Sequence, residues 1–220
     1  MLRAAASVFE VAVPETAARR RDLWGRLGVT TDHVSGTVLV WALRPPGNDA
    51  WSVMMRSRAD LGVVTHLTLQ ELRGPAATVP SLCSEGTAVS MVENPQVLQA
   101  AAKTGVPGVL LCTSGNPSTA GWLLLRRLIA DGMPVRYHGD FDWPGVAIAG
   151  RVLAAGAAPW RMAAEDYSAA VSGLPSDARL ALSGTPVGTA WDTRLAVEME
   201  RRGVAVHEEL ILATLLDDLH

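Results

Sequence analysis

Short apolar runs alternate along this chain with segments of helical periodicity, and each run is closed by a polar or glycine-bearing loop. The clearest stretch spans 87–155. Thr87-Ala88-Val89-Ser90-Met91-Val92 predicts a strand that ends in Glu93-Asn94-Pro95. A helix over 95–103 follows, with Asn94 at the N-cap, Pro95 in the first turn and Gly105 as the stop. Residues 106–112 predict a second strand, 113–118 a loop and 119–131 a helix. Met133-Pro134-Val135-Arg136-Tyr137 predicts a third strand, and 146–155 the helix after it. Strands that alternate with helices predict parallel βαβ units joined by right-handed crossovers.

The flanks are less regular. A helix is predicted over about 15–28, strands over 34–43 and 63–72, and a helix or turn around 51–60. Downstream, the pattern predicts a short strand at 158–162, helices at 164–171 and 191–202, a short strand at 204–206 and a last helix at 208–219. The expected fold is three-layer α/β with a mostly parallel sheet of four or five strands. Residues 79–220 are expected to form the main domain. Residues 1–78 are expected to be an N-terminal α+β appendage, the end of a preceding domain, because two strands and a helix cannot close a core alone.

Parallel strands bring their following loops to one sheet edge, where open α/β sheets bind ligands. The loops here carry Glu93, then Ser114-Gly115-Asn116, then Asp140-Phe141-Asp142. In an extended chain Asp140 and Asp142 point the same way. Neighbouring carboxylates repel unless they share a proton or a cation, and a hard divalent cation suits oxygen ligands. Blander roles compete: an Asp here suits a helix N-cap, and Glu93 suits the positive end of the next helix. Gly139 admits close backbone approach to a ligand. Ser114 and Gly115 either offer backbone N–H groups to a phosphate or form an ordinary turn. His207-Glu208-Glu209 lacks the second His of a zinc-protease motif. Glu208 and Glu209 are read as partners of the last helix's dipole in preference to outer groups of a metal site. His138 is read as a packed core residue.

Composition narrows the classes. The 220 residues are 49% hydrophobic, enough for a sizeable core, and no apolar run reaches the 18 residues or so of a membrane span. Cys83 and Cys112 alone make neither a disulfide framework nor a zinc site, so a reducing cytoplasm is expected. The net charge of −3 is not that of a protein gripping DNA by bulk charge. The Arg clusters at 19–21, at 56 with 58, and at 126–127 are read first as solvated faces, with phosphate pairing as the alternative.

The order strand–Glu, strand–Ser-Gly-Asn, strand–Asp-x-Asp resembles the Toprim domain of primases, topoisomerases and related nucleases. That family's Glu, Gly and Asp-x-Asp fall on Glu93, Gly115, and Asp140 with Asp142. The phrases "VENPQVL", "CTSGNPS", "YHGDFDWPGVAIA" and "VHEELILATLLDDL" are similar to the Toprim-like carboxyl-terminal domain of the JetD-type nuclease subunit of Wadjet plasmid-defence systems. Asn94 departs from the general Toprim pattern, which has Gly there, and fits the Wadjet-like branch better.

The resemblance implies a metal-dependent DNA endonuclease. Asp140 and Asp142 would hold Mg²⁺ or Mn²⁺, with Glu93 as a further ligand or general base. Asn94, Ser114, Gly115, Gly139, Glu208 and Glu209 would support them. It implies DNA and an SMC-like ATPase complex as partners, a homodimer, no membrane, and a longer nuclease of which this chain is the carboxyl-terminal part. Two alternatives stand: a topoisomerase-like strand transferase, which needs a nucleophilic Tyr that neither Tyr137, inside a strand, nor Tyr167, expected on a surface helix, provides well, and a non-catalytic DNA- or partner-binding module.

Overall fold

A computed structural model describes residues 2–9, 11–14, 20, 23 and 36–220. The chain divides into two compact units, Met1–Ser35 and Gly36–His220. In the first, helix α1 (Leu2–Val8) buries Ala5 and Ala6 with Leu23. The helix expected over 15–28 and most of the 19–21 Arg cluster lie outside the described residues.

The second unit is a Toprim-like three-layer α/β fold around a six-stranded sheet of order β2-β1-β4-β3-β5-β6. Its strands are β1 (Thr37–Trp41), β2 (Thr65–Thr68), β3 (Val89–Val92), β4 (Val109–Cys112), β5 (Val135–Tyr137) and β6 (Ala158–Pro159). The last four are mutually parallel, while β1 runs antiparallel to both β2 and β4. Residues 36–78, expected in the appendage, therefore belong to the larger unit: Leu39–Trp41 of β1 pair with Leu110–Cys112 of β4. The sheet has six strands rather than four or five for the same reason.

Helices cover both faces: α2 (Ala50–Asp60), α3 (Leu69–Arg73), α4 (Pro75–Thr78), α5 (Pro95–Thr104), α6 (Thr119–Ala130), α7 (Trp143–Ala154), α8 (Ala164–Gly173), α9 (Thr193–Arg202) and α10 (Leu212–Asp217). Strands β3 and β4 are buried along their whole length, as central parallel strands must be. Their side chains alternate between two cores. Val89, Met91, Val109 and Leu111 join the larger core with Leu124 and Leu128 of α6 and Val146 of α7. Val92, Leu110 and Cys112 face Val97 and Leu98 of α5 and Leu215 of α10. Each fully buried Leu or Val contributes about 1.5–3 kcal/mol, so this two-sided burial anchors the loops at the strand ends.

Two local readings need correction. The strand expected over 63–72 stops at Thr68, which caps α3 and forms a capping box with Glu71. The last helix begins as a 3-10 turn, Glu208–Ile211, before α10. A small two-stranded antiparallel sheet, β7 (Leu180–Ala181) with β8 (Val204–Ala205), stands apart from the main sheet. Among the described residues no helix is long and apolar enough to cross a membrane.

Candidate metal centre

Glu93 follows β3 directly, and Asp140 and Asp142 follow β5; these strands are parallel neighbours, so all three residues stand at the carboxyl edge of the sheet. Phe141, between the two Asp residues, is 1% exposed and turns into the larger core. Asp142 is the N-cap of α7, its Oδ1 accepting from the Gly145 N–H at 2.6 Å. Asp140 Oδ1 accepts from the Glu208 N–H at 2.8 Å. Each carboxylate thus has one oxygen engaged with backbone and one turned elsewhere.

The second half of the site comes from the end of the chain. Phe141 and Val206 form an isolated antiparallel bridge, with N–H···O distances of 2.8 and 3.2 Å. That bridge sets His207, Glu208 and Glu209 beside the Asp-x-Asp loop. His207 Nε2 lies 3.9 Å from Asp142 Oδ2, and ligand atoms of Asp140, Asp142 and His207 all fall within 4.8 Å of one another. This group could hold a metal ion. Glu93 is not a member of it, although the charges of Asp140 and Asp142 act on its carboxyl. His207 was missed as a donor in the sequence because only a tertiary contact brings it here.

Glu208 is fully buried, and its carboxylate caps no backbone of its own helix. It accepts instead from the Glu93 N–H (3.1 and 3.3 Å to its two oxygens) and from the Asn94 N–H. The dipole role expected of Glu208 gives way to a clamp between the loop after β3 and the Asp-x-Asp loop. Glu209 accepts from Asn94 Nδ2 and faces His207 Nδ1 at 4.0 Å. Asn94 also caps α5 through the Gln96 N–H, as its sequence position predicted.

Packing acids together has an electrostatic cost. Burial, then the charges of Asp140 and Asp142, push the Glu93 carboxyl up to about 7. Burial also raises Asp140 and lifts Glu208 well above the usual carboxylate range. The Tyr137 hydroxyl beneath them is raised well above its ordinary value by burial and then by Glu93, Glu208 and Asp140. Tyr137 Oη and Glu93 Oε2 are buried without a hydrogen-bond partner. Two glycines hold the loop close. A Cβ on Gly139 would meet Tyr137 Oη at 2.7 Å, and one on Gly145 would meet the Asp140 carbonyl oxygen at 2.4 Å.

The remaining candidates are placed as follows. Ser114 and Gly115 both have left-handed backbone, φ 53° and 88°. The Gly115 N–H donates to the Glu93 carbonyl at 3.2 Å, so it braces the neighbouring loop. His138 is buried in the core with Nδ1 2.9 Å from the Trp160 carbonyl oxygen, and burial depresses its pKa to about 4. Tyr167, expected on a helix surface, is fully buried and donates to the Val204 carbonyl at 2.6 Å. Arg56 donates to the carbonyls of Pro45 and Gly47, and Arg58 to Thr65. Arg127 pairs with Asp131 and donates to Val79. These arginines hold loops together, and so differ from the solvated faces expected of their clusters.

Fold and site define a three-layer α/β protein with a carboxylate-rich, cation-competent centre at the carboxyl edge of its parallel strands. Residues 65–219 match the family model described as "Protein of unknown function C-terminus (DUF2399)", and residues 1–45 match "Protein of unknown function N-terminus (DUF3323)". The first match spans well over half of the chain, which therefore belongs to the DUF2399 family. No curated protein matches the sequence.

Proposed function

We propose that this chain carries the active site of a divalent-metal-dependent DNA endonuclease of the Toprim-like, JetD type. It hydrolyses phosphodiester bonds, acts as a homodimer, and works with an SMC-like ATPase complex against plasmid or foreign DNA. The observation that supports this most is the meeting of Asp140, Asp142 and His207 within 4.8 Å, beside the electrostatically coupled Glu93. The donor set fits a divalent cation: two carboxylate oxygens turned away from their backbone partners, an imidazole nitrogen, and a third acid at hand.

When bound, Mg²⁺ or Mn²⁺ supplies Lewis acidity toward a phosphoryl oxygen and a more acidic water. Asp140 and Asp142 hold the ion. Glu93, whose carboxyl stands at about 7 in the metal-free chain, would take and return a proton at its carboxylate. Glu208 keeps the two loops in register through the Glu93, Asn94 and Asp140 contacts. Gly139 and Gly145 let the Asp-x-Asp loop lie close against Tyr137 and α7.

Hydrolysis is preferred to strand transfer because the chain has two Tyr, and both are fully buried. Tyr167 has its hydroxyl committed to Val204, and Tyr137 is held far from ionisation. A non-catalytic DNA-binding module would tolerate loss of the carboxylates. The test is plasmid cleavage with Mg²⁺ and with Mn²⁺ by wild type and Asp140→Ala. Cleavage by wild type alone is expected; equal cleavage by both, or none by either, would overturn the proposal.

A further inference from the structure

The imidazole of His207 changes the chemistry of a centre that otherwise offers only oxygen. We infer that His207 ligates the cation together with Asp140 and Asp142, and that the site therefore selects a first-row transition cation, Mn²⁺ being the probe, over Mg²⁺. This rests on the metal-site reading above and goes further by fixing a nitrogen ligand and a metal class.

Geometry comes first. Ligand atoms each about 2.0–2.2 Å from a shared ion can lie up to about 4.4 Å apart. His207 Nε2 and Asp142 Oδ2, 3.9 Å apart, meet that limit as they stand, and the three ligand atoms together, within 4.8 Å of one another, need close by only a few tenths of an ångström. The bridge between Phe141 and Val206 fixes the two segments on either side of the pair. The other ring nitrogen is also provided for. Nδ1 faces Glu209 Oε1 at 4.0 Å, and Glu209 is itself held by Asn94 Nδ2. At 4.0 Å this is not a hydrogen bond, but it places a carboxylate on the side of the ring from which proteins orient a ligating imidazole.

An independent observation points to a ligand at the same place. Tyr137 is fully buried, yet its hydroxyl has no partner, and it lies under the Gly139–Asp140 loop among Glu93, Glu208 and Asp140. Glu93 Oε2 is likewise buried and unpartnered. Buried polar atoms are rarely left unsatisfied, and a hydrated cation above them offers both charge and water.

The choice of metal follows from the donors. Mg²⁺ takes oxygen ligands in near-ideal octahedral geometry and gives up its water reluctantly. Imidazole favours first-row transition ions, and Mn²⁺ accepts carboxylate and water as well. Two carboxylates with one imidazole therefore bind Mn²⁺ better than Mg²⁺.

The experiment uses the full chain stripped with chelator, then loaded with Mn²⁺ alone. Pulsed electron paramagnetic resonance should show nitrogen hyperfine coupling to the bound Mn²⁺ in wild type. His207→Gln should lose that coupling. By calorimetry, with folding checked by circular dichroism, its Mn²⁺ affinity should fall about tenfold or more, with little change for Mg²⁺. Mn²⁺ binding without nitrogen coupling in wild type, but lost in Asp140→Asn, would remove His207 from the ligand set and leave the metal site standing. Equal loss of Mn²⁺ and Mg²⁺ in His207→Gln would overturn the selectivity. Mn²⁺ binding that is unaffected by Asp140→Asn, or no binding at all, would sink both this inference and the function proposed above.

Discussion

The Glu208 N–H donates to Asp140 Oδ1 at 2.8 Å across 68 residues of chain. With the Glu208 carboxylate accepting from Glu93 and Asn94, one buried residue ties the loop after β3, the Asp-x-Asp loop and the last helical turn together. Three segments remote in sequence are thereby held at one edge of the sheet.

Glu208→Ala should be strongly destabilising, because it leaves the Glu93 and Asn94 backbone N–H groups without their acceptor. A loss of about 2–3 kcal/mol is expected, read by urea unfolding. Glu208→Gln keeps an acceptor oxygen and should lose less. If the two variants unfold alike at wild-type denaturant concentration, the clamp has no structural weight.

Glu93 predicts a pH dependence in the metal-free protein. Its carboxyl is at 4.5 when unperturbed and about 7 in the folded chain. Below 4.5 it is protonated in both states, and above 7 it is ionised in both. Between these values the folded chain holds a proton that the unfolded chain has lost, so stability falls as pH rises through that window. Buried His138, depressed to about 4, works in the opposite direction. A comparison with Glu93→Gln cancels it, since both proteins contain His138. With chelator present, Glu93→Gln should melt above wild type at about pH 8, and the gap should close toward about pH 5. A gap that is constant with pH would show that Glu93 is not perturbed.

How much of this was legible in the sequence depends on whether the signal was local. Glu93 and the two Asp residues could be placed at one edge because each ends an apolar run and precedes a helix start. The capping of α5 by Asn94 was equally visible. The end of β2 was missed although the Thr68-x-x-Glu71 capping box lies in the sequence; the alternating pattern of 63–72 masked it. His207 could not be found in this way, because a single bridge, Phe141 with Val206, brings it to Asp142. Tyr167 was read as surface because nothing local reports the Val204 carbonyl that receives its hydroxyl.

Asp142 has two separable roles. As the N-cap of α7 it contributes about 1 kcal/mol, and its other oxygen faces His207. Asp142→Asn retains a good cap and should fold with near wild-type stability while losing divalent-dependent cleavage. Asp142→Ala should lose cleavage and the cap together. Isothermal unfolding of both variants beside a plasmid-cleavage assay separates the two. Cleavage by Asp142→Asn at the wild-type rate would end its assignment to the metal.

Gly145 tests whether the site depends on how closely α7 approaches the Asp-x-Asp loop. A Cβ there would sit 2.4 Å from the Asp140 carbonyl oxygen and 3.0 Å from Asp140 Cβ. Because the first of these is a backbone atom, no side-chain rotation relieves the clash, and the loop or the helix start must shift. The Gly145 N–H is also the donor to Asp142 Oδ1. A shift therefore disturbs both carboxylates at once. Gly145→Ala should lose about 1–3 kcal/mol of stability and bind Mn²⁺ more weakly than wild type, although it alters no proposed ligand. Gly121→Ala, which meets only the Pro117 and Ser118 side chains at 3.5 and 3.8 Å on α6, is the control and should leave Mn²⁺ binding unchanged. Calorimetric titration of both variants gives the answer: wild-type Mn²⁺ affinity in Gly145→Ala would mean that the close approach of α7 does not set the position of the carboxylates.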